Sequence, residues 1–350
     1  MKCIIHFGPP KTGSTSIQAF IRLNKDTLLE HGILALASNG MPEKLPYLFR
    51  NDKVLLKRFR RQRLTGDKKK IERYRREADR HILNNISKHD PDILFLSSEM
   101  FALLMDSELV RMKNYITALT PDIELVFYLR RPDFRVTSGY KNRVKNRGET
   151  NPVDSAYKNI FDDGKTIKRL GKVFGRENIT PVICEDSHPD RANADSHIDA
   201  LLKILFRDKD MSGCEFVLPE RRNTAWDYKA IYFMRAFNRM AMQHPEYEKY
   251  RAPLGGLLDQ HFSSGEKMKI STSVAKEITS KYKRKWEYIR KHYFPDQDSL
   301  FQMDFSIYDQ NKQPQNFEAE DAVMVALMLL EDDLNEQKQK QQQKQKKLAR

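Results

Sequence analysis

The stretch Cys3-Ile4-Ile5-His6-Phe7-Gly8-Pro9-Pro10-Lys11-Thr12-Gly13-Ser14-Thr15-Ser16 decides the fold. Its first five residues form a short run with strand character. Gly8-Pro9-Pro10 ends that run, because proline offers no N–H to a sheet ladder. Ile17, Phe20, Ile21 and Leu28 then recur at helical spacing. The order is strand, loop, helix. Three further strand-like runs follow, at Ile93–Ser97, Leu125–Leu129 and Thr180–Cys184, each leading into helical periodicity. After Leu129 that periodicity is Phe134, Val136, Tyr140 and Val144. Strands that are largely apolar throughout, alternating with helices, predict a parallel sheet covered on both faces. Later residues give two helical stripes, Trp226, Ala230, Phe233, Phe237, Met240 and Val274, Ile278, Tyr282, Trp286, Ile289, Tyr293, both expected in the core. The fold class is α/β: a three-layer sandwich with a central parallel sheet and helical insertions.

Composition bounds the rest. The 350 residues carry 62 Lys and Arg against 48 Asp and Glu, a net charge of +14. No run of about 18 or more apolar residues occurs, which excludes a membrane-spanning helix and leaves peripheral membrane contact open. The apolar start Cys3–Phe7 is too short for a secretory leader. Three scattered cysteines, Cys3, Cys184 and Cys214, make neither a disulfide framework nor a zinc site. A cytoplasmic, reduced protein is expected. Residues 50–80 hold fourteen Lys and Arg against five Asp and Glu, a net of +9, which leaves +5 for the other 319. Ile71, Tyr74, Ala78 and Ile82 mark one apolar face in this insertion, placed at about 50–90. Its charges read either as a solvated helix face or as a wall attracting an anion. No nucleic-acid motif accompanies them, so no nucleic-acid partner is expected. Residues 1–334 are expected to form a single domain. Residues 335–350, rich in Gln and Lys, form an expected disordered tail.

The first loop suits an anion. Backbone N–H groups at a helix N-terminus meet negative charge favourably, and Lys11 with the hydroxyls of Ser14, Thr15 and Ser16 adds to that. An ordinary turn with a Ser or Thr cap is the alternative. Gly8 and Gly13 have Walker A spacing, but Ser14 stands where the lysine should follow. No strand ends in an obvious Asp for magnesium. A phosphate-containing ligand held without a metal is expected.

These residues resemble a known family. Pro10-Lys11-Thr12-Gly13-Ser14-Thr15-Ser16 is similar to the 5′-phosphosulfate loop of sulfotransferases that use 3′-phosphoadenosine 5′-phosphosulfate (PAPS), in a form close to bacterial carbohydrate sulfotransferases. The segment from Arg130 to Ser138 resembles the same family's 3′-phosphate element, an Arg at a strand end and a Ser eight positions later. The resemblance implies the P-loop NTPase-like sulfotransferase fold, with PAPS as donor and the bisphosphate PAP as product. It implies that Lys11, Thr12, Gly13, Ser14, Thr15 and Ser16 hold the phosphosulfate, and that Arg130 and Ser138 hold the 3′-phosphate. The implied acceptor is a carbohydrate or glycan, anionic ones included.

Sulfuryl transfer to a hydroxyl also needs a base, and ligands of open α/β sheets sit at the carboxyl ends of strands. Glu99 follows Ile93–Ser97 and Ser98 directly, in a segment like the family's Ser-Ser-Glu. Lys11 and Glu99 are therefore the expected catalytic residues, in an in-line displacement. A capping role for Glu99 is the alternative. His6, His31, Glu185 and Asp186 are weaker candidates, with His6 expected to pack beside the loop. Arg131, Arg135, Lys141, Arg143, Lys145 and Arg147 read mainly as an exposed helix face. Arg222-Asn223-Thr224 resembles the family's Asn-x-Ser segment, and Arg222 could join the 3′-phosphate pocket. Two other functions fit parts of the chain: a P-loop kinase with a displaced lysine, and a basic nucleic-acid-binding protein.

Overall fold

The computed structural model describes residues 1–36, 45–61, 68–155, 161–184, 196–219 and 226–308, with positions 322, 326 and 327. The expected tail and the segment Arg222-Asn223-Thr224 lie outside the described residues, as do Glu185 and Asp186. The four expected strands form, and a fifth joins them. Strands β1 (Lys2–Phe7), β2 (Ile33–Leu36), β3 (Ile93–Ser97), β4 (Ile123–Leu129) and β5 (Ile179–Ile183) make one sheet, ordered β2-β3-β1-β4-β5. Every pairing is parallel. The short edge strand β2 has only Ile33-Leu34-Ala35-Leu36 to announce it, too brief a run to separate strand from helix.

Full burial on both faces explains the apolar strands. Cys3 to Phe7 are buried, as is all of β4. On one face Ile4, Phe95, Val126 and Tyr128 meet Ile17, Phe20 and Ile21 of the helix Ser14–Leu23 and Ile198, Leu201 and Leu205 of the helix Ser196–Leu205. Alternate residues such as Ile5, Phe7, Leu96 and Phe127 point to the opposite face and are buried there too. Helices Asp106–Leu119 and Asp163–Phe174 pack together, burying Leu109, Met112, Ile116, Ile167 and Leu170.

The chain divides into two compact units. The first joins Met1–Arg135, Ile160–Arg221 and Glu277–Ile307, and contains the sheet. The second joins Val136–Asn159, Arg222–Lys276 and Tyr308–Arg350. Its core gathers Tyr140, Val144, Trp226, Ala230, Ile231, Met234, Leu254 and Leu258. The first aromatic stripe is thus core only in part: Trp226 and Ala230 are buried, Phe233 and Phe237 are half-buried, and Met240 is 52% exposed. In the helix Thr272–Tyr293, Ile278, Tyr282, Trp286 and Ile289 are buried as expected. No helix among the described residues is long and apolar enough to cross a membrane.

The basic insertion forms helices Asp52–Arg61 and Lys68–His89. Ile71, Ala78 and Ile82 are fully buried on the expected face. Not all of its charge is free: Arg75 donates to the carbonyls of Tyr47 at 2.9 Å and Arg50 at 2.6 Å, and pairs with Asp52 at 2.8 Å.

Two arginines of the segment after β4 depart from the exposed-face expectation. Arg131 is 1% exposed and Asp133 is 0% exposed. Its guanidinium grips both Asp133 oxygens, at 2.7 to 3.1 Å, and donates to the Gln302 carbonyl at 2.7 Å. Arg135 meets buried Asp163 through Nη1 alone, at 2.9 Å, and its Nε and Nη2 have no hydrogen-bond partner among the described residues. The bidentate geometry of Arg131 with Asp133 helps a Coulomb pair in a dry interior to offset desolvation. Removing Asp133 leaves the buried guanidinium without its carboxylate. Asp133→Ala should therefore lower unfolding stability by about 3–5 kcal/mol, read from urea denaturation; a loss near zero would show that Arg131 finds solvent instead.

Candidate active site

The sheet order places the ends of β1 and β4 side by side, with Phe7 opposite Phe127. The connection after β1 leads to β2 on one side, and that after β4 to β5 on the other. Such divergence opens a crevice at the strands' carboxyl ends, the usual ligand position in an open α/β sheet. The loop Gly8 to Gly13 and Arg130 both lie there.

The loop's backbone is held in one orientation. Thr12 Oγ1 donates to the Pro9 carbonyl at 2.7 Å, and Arg130 Nη1 donates to the Lys11 carbonyl at 2.9 Å. Cys184 Sγ reaches the Thr12 carbonyl at 3.8 Å, and Ser14 Oγ the Gly8 carbonyl at 3.4 Å. Lys11 has φ 72° and Gly13 φ 85°, both left-handed. For lysine that conformation costs roughly 1–2 kcal/mol, a strain of the kind kept at ligand sites. With carbonyls committed to the protein, amides are left for a ligand. The N–H groups of Gly13, Ser14 and Thr15 take no acceptor among the described residues, whereas Ser16 N–H bonds the Gly13 carbonyl at 2.9 Å. These orphan donors open the helix Ser14–Leu23. The arrangement is an anion cradle.

The side chains divide their roles. Thr12 is buried and its hydroxyl serves the loop itself, so its contribution to an anion is through the backbone. Thr15 is exposed, Ser16 half-buried and Ser14 nearly buried. Both loop glycines are sterically required. A Cβ on Gly8 would collide with Ser14 Oγ and approach His6 Nε2 to 2.8 Å; one on Gly13 would collide with the His197 ring. His6, in β1, is fully buried, and its Nδ1 lies 2.8 Å from Ser97 Oγ. Burial, and secondarily His197, push its pKa down to about 3. A charged acid–base role for His6 near neutral pH is thereby disfavoured. His31 bonds the Thr27 carbonyl at 2.9 Å at the end of its helix, as a local cap.

Glu99 opens a 3-10 turn, Glu99–Leu103, at the carboxyl end of β3. The cap of that turn is Ser98, whose Oγ accepts from Met100 N–H at 3.3 Å. Glu99 is exposed and its carboxylate has no partner among the described residues. The capping alternative thus falls to its neighbour. Ser138 lies in the helix Pro132–Arg147, half-buried, in the second unit. Its hydroxyl takes no partner among the described residues.

A cleft of about 900 Å³ was not expected from the sequence. Leu103 to Asp106, the residues that finish the Glu99 turn and start the next helix, form one wall. Lys165, Lys168, Arg169 and Lys172 form another, with Arg284 and Lys285 beyond, against only Asp106 and Asp162. Arg169 pairs with Asp106 at 2.5 Å and Lys285 with Asp162 at 2.7 Å. The side chains of Lys165, Lys172 and Arg284 have no partner among the described residues. Spacing at 165, 168 and 172 put three lysines on one helix face, the one signal that could have found this wall. Among the described residues no three His, Cys, Asp or Glu side chains are grouped to hold a metal ion.

No family model matches the chain, and no curated protein does. Among solved structures, a sulfotransferase from Alicyclobacillus acidocaldarius is similar at 15% identity and a TM-score of 0.40, over 70% of this chain and 96% of that one. What the loop can bind is decided by its own atoms. Gly13→Ala should cost roughly 1–2 kcal/mol from its left-handed φ alone, and the clash with His197 should also displace the helix N-terminus. Phosphate or pyrophosphate binding, followed by calorimetry, should be lost while the far-UV spectrum stays native-like.

Proposed function

We propose that the chain is a sulfotransferase, moving the sulfuryl group of PAPS to a hydroxyl of a carbohydrate or glycan acceptor. One observation carries this reading: the loop after β1 commits its carbonyls to the protein, one of them to Arg130, and leaves helix-terminal amides for an anion. Within that loop the sequence is the one that resembles the family's phosphosulfate element. The loop's free amides fit a phosphosulfate. Amides of Gly13 to Thr15, with Lys11 and the hydroxyls of Ser14, Thr15 and Ser16, would hold the phosphosulfate, and Arg130 with Ser138 the 3′-phosphate. PAPS, when bound, supplies the sulfuryl group and a bisphosphate leaving group. Lys11 would stabilise charge developing on the leaving phosphate. Glu99, exposed and unpaired among the described residues at the end of β3, would take the acceptor hydroxyl's proton. The scheme needs no metal. Three free cysteines suit a reducing, cytoplasmic setting.

The basic cleft supports an anionic acceptor. Leu103 of the Glu99–Leu103 turn lines it, and its cations, unpaired among the described residues, offer charge to sulfate or carboxylate groups along a chain. Lys165→Glu with Lys172→Glu should raise KM for an anionic glycan by roughly tenfold at low salt and less at high salt. PAP binding should not change. An equal effect on a neutral sugar acceptor would remove the cleft from recognition.

Thermal unfolding with added ligand tests the donor. PAP at about 100 times its Kd should add about 2.7 kcal/mol of stability. ATP with magnesium, or a mixed oligonucleotide, should add little. A response to ATP–magnesium without one to PAP would favour a kinase. A response to the oligonucleotide with steep salt dependence would favour nucleic-acid binding. Lys11→Ala should lower kcat by about 10²- to 10³-fold, more than it weakens PAP. Glu99→Gln should lower kcat by about 10²- to 10⁴-fold with PAP affinity unchanged.

A further inference from the structure

His6 presents a polar atom that the folded chain leaves unmet. It is fully buried, its ring lies edge-on to Tyr128 with centroids 5.0 Å apart, and Phe95 stacks at 6.4 Å. Nδ1 is 2.8 Å from Ser97 Oγ, but Nε2 has no hydrogen-bond partner among the described residues. A buried nitrogen without a partner forfeits its hydration with nothing in return, and native proteins rarely keep one without a use. Nε2 faces a particular place. The position of a Cβ on Gly8 would be 2.8 Å from Nε2 and in collision with Ser14 Oγ. Both atoms thus border the small space that the missing Gly8 side chain leaves open.

The ring's proton can be placed. Ser97 Oγ has no hydrogen-bond partner other than Nδ1 among the described residues. Its hydroxyl proton therefore goes to Nδ1, which makes Nδ1 the acceptor and leaves the imidazole proton on Nε2. Ser14 is the group that can receive it. In the free loop Ser14 Oγ donates to the Gly8 carbonyl at 3.4 Å, a long and weak bond.

We propose that His6 is a positioning residue for the loop's anion, acting through Ser14. When a phosphate or sulfate group occupies the helix N-terminus, the Ser14 hydroxyl leaves the Gly8 carbonyl and donates to the anion. A lone pair of Ser14 Oγ then accepts the Nε2–H of His6. The chain of bonds runs from Ser97 hydroxyl to His6 Nδ1, from His6 Nε2–H to Ser14 Oγ, and from Ser14 hydroxyl to the anion. Each link polarises the next, and the imidazole's unmet donor is satisfied only in the loaded loop. Glycine at position 8 is what keeps the passage between the two side chains clear. The proposal rests on the loop's holding a phosphate or sulfate group, as in the proposed function, and adds the residue that orients its hydroxyl donor.

Imidazole ¹⁵N spectra of the full-length protein test it, with the His6 signal assigned by its loss in His6→Phe. The free protein should show a neutral His6 with its proton on Nε2. Saturating PAP, with saturation set by calorimetry, should shift the Nε2 signal. Ser14→Ala should bind PAP about tenfold more weakly, the worth of one hydrogen bond, and its His6 signal should not respond. Ser14→Thr, which keeps the hydroxyl, should restore both. A proton on Nδ1, an unmoved signal at saturation, or an equal shift in Ser14→Ala overturns the proposal. If PAP does not bind, the PAPS reading fails by itself, and pyrophosphate decides the role of His6. A shift with pyrophosphate that Ser14→Ala abolishes upholds it, and the absence of any shift overturns it.

Discussion

Four carbonyl oxygens, those of Gly8, Pro9, Lys11 and Thr12, accept hydrogen bonds from the protein, and the site depends on that orientation. A peptide unit is planar, so fixing its oxygen also fixes the N–H across the plane. The donors come from separate parts of the first unit: Thr12 and Ser14 within the loop, Arg130 at the end of β4, and Cys184 just past β5. Left-handed Lys11 and Gly13 then supply the reversals that such a path needs. The strain at Lys11 persists because these bonds surround it and the parallel sheet holds the strand ends in place.

The same sheet explains why the candidate site residues gather at one end. All five strands are parallel, so their carboxyl ends share one edge. The loop after β1, the Glu99 turn after β3 and Arg130 after β4 all start there. The charges near this edge fall into two kinds. Arg131 and Arg135 are buried and matched by Asp133 and Asp163, and they serve the fold. Lys165, Lys172 and Arg284 are exposed along the cleft and unmatched among the described residues, where they can serve a ligand. A net charge of +14 does not separate these kinds.

Particular elements show how far the sequence could be read. Apolar runs followed by helical spacing identify β1, β3, β4 and β5, because a strand covered on both faces must be apolar along its length. Strand β2 escaped because four apolar residues fit a strand and one helical turn equally well. Position 131 shows the other difficulty. An Arg at a strand end reads as surface, and only the Asp133 carboxylate, the Gln302 carbonyl and the Phe305 ring make it interior. Met240 errs in the opposite direction, on the helical stripe but in solvent.

The sequence by itself determined the strand–loop–helix unit, the grouping of Lys11 with the hydroxyls of Ser14 to Ser16 and the position of Glu99 at a strand end, because each depends on residues within one short window. Tertiary structure alone decided the rest. It set which way the loop's carbonyls turn, which arginines are matched by buried carboxylates, and that His6 Nε2 and Ser14 Oγ face one space above Gly8. Those facts depend on atoms up to 172 positions apart, as with Cys184 and the Thr12 carbonyl. No local pattern encodes a hydrogen bond across that distance; the packed parallel sheet does.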